Sequence, residues 1–351
     1  MYQFIRPLLF RLDAEQAHNL TLTLLRIAGD FPVTNYLLSK LFSVSDPRLQ
    51  VEAFGIRFKN PVGLAAGYDK NGVAVRGLAC LGFGHVEVGT VTRFAQAGNP
   101  QPRIHRVPKS RALINSMGFP NAGVDRLRVD RGSTRVGINI GKSKETPLER
   151  AADDYCGLLK RVHSQADYIA INVSSPNTPG LRQLQLRSAI DDLLHAVATT
   201  RDGLTPRVPL LVKVSPDLSE AEIDNVLLAI QDNGIDGIIA TNTTLSRNGA
   251  PALAGTSGGL SGEPLRSRAT DVIRFIARRT AGKLPIVGVG GISSTDDALE
   301  KIRAGASLIQ IYTGLVYAGP GLVRQINLGL LYECEREGIK SVTEWVGAGI
   351  E

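Results

Sequence analysis

Eight short apolar stretches punctuate the chain: 62–66 (VGLAA), 84–90 (GHVEVGT), 136–140 (VGINI), 167–173 (DYIAINV), 210–214 (LLVKV), 236–241 (DGIIAT), 285–290 (PIVGVG) and 307–312 (SLIQIY). Small and β-branched residues run through most of them without polar alternation, as in strands covered on both faces. Amphipathic segments at 147–163, 186–201, 219–233, 264–280 and 295–304 lie between many of these stretches and predict helices. Strands alternating with helices predict βαβ units in a parallel sheet. Eight such units closing on themselves give an α/β fold, the (β/α)8 TIM barrel. A doubly wound open sheet is the competing arrangement, but no GxGxxG opens the first unit.

The first 45 or so residues stand outside this alternation. Phe4, Ile5, Leu8, Leu9 and Leu12 recur at helical spacing, with Pro7 tolerable only near a helix start. Asp13 with Gln16 three residues on reads as an N-cap, and a second helix carrying Ala17, Leu20, Leu24 and Ile27 is expected to stop at Gly29. The expected organisation is therefore a helical hairpin extension over 1–45 and a barrel over 46–351. The hairpin is rich in apolar residues for its length. It either braces the barrel or offers a surface to a membrane or an apolar molecule.

Composition narrows the class. The chain has 351 residues, 43% hydrophobic and 21% charged, enough to bury a core without metals or disulfides. Cys80, Cys156 and Cys334 are scattered and form no CxxC or Cys/His cluster, so neither a disulfide framework nor a zinc site is expected. No run of roughly 18 apolar residues is present, and Arg6, Arg11 and Asp13 interrupt any signal-peptide-like stretch. The net charge of +7 is concentrated in residues 91–150, where twelve Arg/Lys meet four Asp/Glu, giving +8. Such a segment attracts anions or anionic lipid, or is simply a solvated face. Nucleic acid is disfavoured because no aromatic-interleaved basic run accompanies it.

Barrel enzymes work at the C-terminal ends of their strands. Here those ends carry Gly67-Tyr68-Asp69-Lys70-Asn71-Gly72, Thr90, Asn139, Asn172-Val173-Ser174-Ser175-Pro176-Asn177, Lys213, Thr241-Asn242-Thr243-Thr244, Gly290-Gly291 and Tyr312-Thr313-Gly314. Singly, each amide or hydroxyl is as good a turn-former as a ligand. Together they suit a planar ligand rich in oxygen and nitrogen. Glycines at 288–291 and 314, with Gly258-Gly259-Leu260-Ser261-Gly262, predict a phosphate cradle after the seventh and eighth strands.

Four segments carry a family likeness: 66–72 (AGYDKNG), 114–121 (INSMGFPN), 172–182 (NVSSPNTPGLR) and 258–262 (GGLSG). Through them the chain resembles the dihydroorotate dehydrogenases, specifically the membrane-associated, quinone-using class, over essentially its whole length. The resemblance implies one FMN per chain. Its predicted lining is Ala66, Gly67, Lys70, Thr90, Asn139 and Asn172, with Lys213, Thr241, Gly262, Gly291, Tyr312 and Thr313. Lys213 belongs near the N1/O2 edge, where reduction places negative charge. The implied contacts for dihydroorotate are Lys70, with its carboxylate, Asn115, Ser116, Met117, Gly118, Phe119, Asn172, Asn177, Asn242 and Thr243. Ser175 matches the catalytic base, which takes the C5 proton while hydride leaves C6, with water or a threonine as the proton's outlet. The soluble class has cysteine there. Residues 176–190 form an expected lid bending at Pro179-Gly180.

The same resemblance implies that the N-terminal helices dock on a membrane and frame a quinone tunnel touched by His18, Arg106 and Tyr312. It also implies quinone as electron acceptor and a peripheral location on the cytoplasmic face of a bacterial inner membrane, no mitochondrial presequence being visible. Three alternatives remain open on the residues alone: a soluble relative reducing fumarate or NAD, a phosphate-binding barrel isomerase or aldolase, and a non-catalytic binding module.

Overall fold

Strands that are apolar on both faces need cover on both, and the chain supplies it by rolling them into a barrel inside a ring of helices. The computed structural model describes residues 2–132, 134–248, 250–251 and 255–350. Its strands are β1 Val51–Ala53, β2 Ile56–Phe58, β3 Val62–Leu64, β4 His85–Val91, β5 Ile104–Val107, β6 Ala112–Asn115, β7 Arg135–Ile140, β8 Tyr168–Asn172, β9 Leu210–Val214, β10 Gly237–Ala240, β11 Gly259–Gly262, β12 Ile286–Val289 and β13 Leu308–Ile311. A closed parallel barrel runs β3-β4-β7-β8-β9-β10-β12-β13 and back to β3. These are the eight expected stretches, each within two residues of its expected bounds.

The helices are α1 Tyr2–Leu9, α2 Ala14–Asp30, α3 Pro32–Phe42, α4 Val75–Ala79, α5 Ala151–Val162, α6 Arg187–Asp202, α7 Glu220–Asp232, α8 Arg266–Arg279, α9 Thr295–Arg303, α10 Thr313–Ala318 and α11 Leu322–Glu337. Ser219 caps α7 with a reciprocal box to Glu222, a local reason for its start.

The barrel's lower interior is filled by large side chains facing glycines. A Cβ on Gly63 of β3 would lie 2.0 Å from the His85 ring, and one on Gly137 of β7 would lie 2.1 Å from Tyr168. The β1-β2 hairpin then stops the N-terminal mouth, with Phe58 edge-on to His85 and Phe54 tilted against Tyr168. Two features went unpredicted: this hairpin, and the antiparallel sheet β11-β6-β5.

The N-terminal extension departs from the expected hairpin in three ways. It has a third helix, α3, begun by Pro32. Pro7 lies in the last turn of the short α1 rather than at its start. Gly29 does not terminate α2; it is buried inside the helix, which ends at Phe31 in extended conformation. Gly29 instead permits contact between helices, since a Cβ there would sit 2.4 Å from the Gly77 amide nitrogen, and one on Gly77 of α4 would sit 1.9 Å from the Leu25 carbonyl oxygen. Asp13 caps α2 as expected, accepting from the amides of Glu15 and Gln16.

Arginines complete the attachment. Arg103 donates to both oxygens of Glu15 at 2.6 and 3.0 Å, and Arg106 donates to the Leu12 carbonyl at 2.8 Å while lying over the Phe10 ring. The outer faces of the three helices remain apolar. Phe4, Leu8, Leu24, Phe31, Val33, Leu37 and Leu41 are all exposed.

Because α2 and α4 meet backbone to backbone, Gly77→Ala forces them apart. We expect a loss of about 1–3 kcal/mol, the usual cost of overpacking. Limited proteolysis should then release residues before 50 faster than from the parent protein, with the barrel intact.

Candidate active site

The loop after β3 is shaped by Asp69, which is fully buried and accepts from the amides of Val73 and Ala74 at 3.0 and 2.7 Å. Gly67 donates to the Gly89 carbonyl and Gly89 to the Asp69 carbonyl, lacing this loop to the end of β4. Asn71 accepts from the Ala122 amide. The loop so fixed carries Lys70 into a cleft of about 1140 Å3 at the C-terminal end of the barrel. Burial lowers the Lys70 ammonium to about 8, reinforced by nearby Arg103 and opposed by Glu15 and Asp69.

An amide and hydroxyl layer floors the cleft. Asn172 donates to Thr90 Oγ1 at 3.0 Å and to Asn139 Oδ1 at 3.1 Å, and Thr90 donates to Asn139 Oδ1 as well. Strand register sets Asn172 beside Lys213 across β8 and β9. Lys213 is nearly buried and faces Glu87 at 3.7 Å.

One wall comes from β6 and the segment after it. Asn177 donates to the backbone and side-chain oxygens of Asn115 at 3.0 and 3.2 Å, and Asn99 bridges the carbonyls of Ser116 and Asn177. Opposite, Asn242 donates to Ser174 Oγ at 3.0 Å, and its own Oδ1 accepts from the Thr243 amide. The Thr243 hydroxyl is buried with no partner among the described residues. Ser175 is also buried; its Oγ accepts from the Asn177 amide at 3.2 Å, leaving its hydrogen uncommitted. Gly180 takes the left-handed conformation at the expected bend, and Leu181 and Leu184 beyond it are buried.

The glycine end of the cleft has no room for side chains. Gly290, Gly291 and Gly262 all have positive φ, and a Cβ on Gly291 would sit 2.4 Å from Arg266. Thr313 and Gly314 open α10, whose first amides have no partner within the helix.

Behind the cleft lies a second, largely apolar cavity of about 1070 Å3, between α1, α2 and the barrel. Ile104, Leu113 and Tyr312 line both spaces and so form their common wall. His18 and Arg106 line the apolar cavity. His18 packs edge-on to Tyr68, and burial lowers it to about 3, so it is neutral at any ordinary pH. Tyr68 shares a hydrogen bond with the Thr21 hydroxyl at 3.3 Å.

Of the residues given a cofactor, substrate, catalytic or tunnel role through the resemblance, all but two line one cavity or the other. Asn139 is fully buried one layer below the floor, where it orients Thr90 and Asn172. Ser116 is held off the cleft by backbone bonds, its amide to the Arg103 carbonyl and its carbonyl from Asn99. Sequence reasoning passed over Glu87, Gln310 and Thr21. For Glu87 a signal was available: a charge inside the mostly apolar run of 84–90.

The family model "Dihydroorotate dehydrogenase" matches residues 48–333. A protein named dihydroorotate dehydrogenase (quinone) from Roseiflexus sp. strain RS-1 is 50% identical over 353 aligned positions, covering 99% of this chain and 98% of that one. One of the same name from Pseudomonas syringae pv. syringae is 50% identical over 335 positions, covering 93% and 96%. The crystal structure of the Eimeria tenella enzyme in complex with ferulenol superposes with a TM-score of 0.87 at 36% identity, covering 96% of this chain and 95% of that one. The chain belongs to the dihydroorotate dehydrogenase family.

Proposed function

We propose that this protein oxidises (S)-dihydroorotate to orotate in de novo pyrimidine (UMP) biosynthesis, using FMN and passing the electrons to a membrane quinone. The observation that carries this reading is the pair of cavities. A cleft floored by amides, a threonine hydroxyl and Lys213, with Lys70 reaching in, shares one wall with an apolar cavity framed by the N-terminal helices.

The cleft fits FMN on its own chemistry. The glycines at 262, 290 and 291 leave a cradle that any Cβ would fill, which suits a phosphate approached by backbone amides. Thr90, Asn172, Thr241, Tyr312 and Thr313, with Ala66 and Gly67, suit the edges of a flat heterocycle. Lys213 supplies a cation for the edge that gains negative charge on reduction. When bound, FMN supplies the hydride acceptor and a two-electron store that the quinone empties.

The chain's own residues supply the rest. Lys70 pairs with the substrate carboxylate. Asn115, Asn177 and Asn242 both donate and accept, matching the carbonyls and N–H groups of a pyrimidine dione. The unpartnered Thr243 hydroxyl provides a further contact. Ser175 takes the C5 proton; the Asn177 amide holds its oxygen, so the proton it already carries needs an outlet. Thr178, three positions on, has a buried hydroxyl with no partner among the described residues, and we take it as the candidate for that outlet. His18, Arg106 and Tyr312 border the proposed quinone tunnel.

Residues 1–45 are the proposed membrane- and quinone-facing unit and 46–351 the FMN-binding barrel. No helix among the described residues is long and apolar enough to cross a membrane. The exposed apolar faces of α1–α3 support peripheral attachment, which we assign to the cytoplasmic face of a bacterial inner membrane.

Three outcomes test this reading. Ser175→Ala should leave the purified protein yellow while slowing anaerobic bleaching by dihydroorotate about 10²–10⁴-fold, the scale of general base catalysis; undiminished bleaching would remove Ser175 from the chemistry. Since Lys70 must be protonated to hold a carboxylate, kcat/KM for dihydroorotate should fall as pH rises through about 8. A profile flat to about pH 9.5 would show that another group binds the carboxylate. Leu37→Asp with Leu41→Asp should reduce sedimentation with anionic lipid vesicles, with reduction of a short-chain soluble quinone retained; undiminished sedimentation would place the membrane contact elsewhere.

A further inference from the structure

At the cleft floor the barrel interior holds a charged pair. Glu87 on β4 is fully buried, and Lys213 on β9 is 5% exposed. One Glu87 oxygen faces the Lys213 ammonium at 3.7 Å and accepts from Asn139 Nδ2 at 2.8 Å; the other accepts from Gln310 Nε2 at 2.8 Å and the Tyr168 hydroxyl at 3.1 Å. All three hydrogen-bond donors are neutral. Burial, then Glu87 itself, raises Tyr168 well above its ordinary range, so it stays a donor. Burial lowers His85 to about 3, so the next layer down adds no charge. Among the described residues Glu87 is the one anion paired with Lys213.

We propose that Glu87 is a positioning residue for Lys213, holding its cation at the cleft floor and so setting the midpoint potential of the bound flavin. This rests on the reading that the cleft binds FMN with Lys213 at its reducible edge. A buried ion pair is seldom the most stable filling for an apolar interior, and hydrophobic residues of equal volume often serve better. The other polar side chains packed around this pair, Asn139, Gln310 and Tyr168, are neutral, and a charged pair is not needed to satisfy them, which makes a purely structural role a poor account of it. Asn139 strengthens the connection, because the same side chain that donates to Glu87 accepts from Thr90 and Asn172 on the floor.

The direction follows from electrostatics. A lysine in a dry site without its counter-anion releases its proton or swings toward water. Either event removes positive charge from the place where reduction adds negative charge. The reduced cofactor is then less stabilised and the potential falls.

The test is a spectroscopic redox titration of the bound flavin against a reference dye, in the parent protein, E87Q, K213M, their double variant and Y168F. E87Q keeps the shape of the site: its carbonyl oxygen still accepts from Asn139, while Gln310 and Tyr168 reorient to accept from its amide. E87Q and K213M should each lower the potential. The double variant should match K213M alone, because the two residues act as one unit. Y168F, which removes a hydrogen bond but no charge, should leave the potential unchanged. If E87Q loses flavin, E87D, which keeps the charge at greater distance, should give the same shift with smaller size. K213M lowered with E87Q unchanged or raised overturns this proposal alone. K213M unchanged overturns the placement of Lys213 at the flavin and the proposal with it, and a colourless parent protein overturns the functional reading itself.

Discussion

Closure of the barrel is the constraint from which the rest follows. Eight strands sealed edge to edge leave an interior shielded from bulk water, so a polar atom placed inside is costly unless the barrel supplies it a partner. At the bottom the solution is steric: His85 and Tyr168 fill the space left by Gly63 and Gly137, and Phe54 and Phe58 stop the mouth. One level up it is a hydrogen-bonded layer in which Gln310 and Asn139 donate to Glu87, which faces Lys213. Only at the C-terminal ends does the filling stop. The cleft opens there because the layers below leave no room for it elsewhere.

The N-terminal helices depend on that same end of the barrel. Their attachment is a glycine contact plus a nearly buried bidentate pair, Arg103 with Glu15, of a kind that costs about 3–5 kcal/mol to break from one side. Arg103 also donates to the carbonyls of Ala97 and Asn99, and Asn99 in turn holds Ser116 and Asn177. One arginine thus ties the helical extension to the loops around the cleft. This changes the meaning of the basic excess in 91–150. Arg103 and Arg106 serve the extension, Arg111 pairs with Glu263, and Arg131 and Arg135 share Asp167. Much of a charge run that reads as an anion-attracting surface is spent in tertiary ties.

What was legible in the sequence follows the length and regularity of each element. The barrel strands announce themselves because burial on both faces removes polar residues from them, and the major helices because amphipathicity persists over several turns. The β1 and β2 strands are three residues long, too short for any period to register. The segment Gly259–Gly262 reads as a glycine loop yet forms β11, because β6 supplies a partner edge distant in sequence. Gly29 was misread for a related reason: an isolated glycine near a helix end suggests a stop, and only the approach of Gly77 reveals a packing role. At the site, strand-end chemistry was readable because barrel geometry gathers strand ends. Asn139 and Ser116 fell outside the cleft because neither a motif nor a strand end specifies which way a side chain points.

The two cavities meet a requirement that one could not. Dihydroorotate is a compact anion that needs lysine and amides, whereas a quinone needs an apolar wall and no fixed charge in the path. Lys70 and Lys213 therefore belong on one side. On the other, His18 is kept neutral by burial, and the cation of Arg106 is occupied by the carbonyls of the α1–α2 turn and the Phe10 ring. Ile104, Leu113 and Tyr312 hold the partition, and burial raises the Tyr312 phenol so that it too stays uncharged. In the proposed function this uncharged partition is what would keep the two ligands, each suited to its own side, from exchanging places.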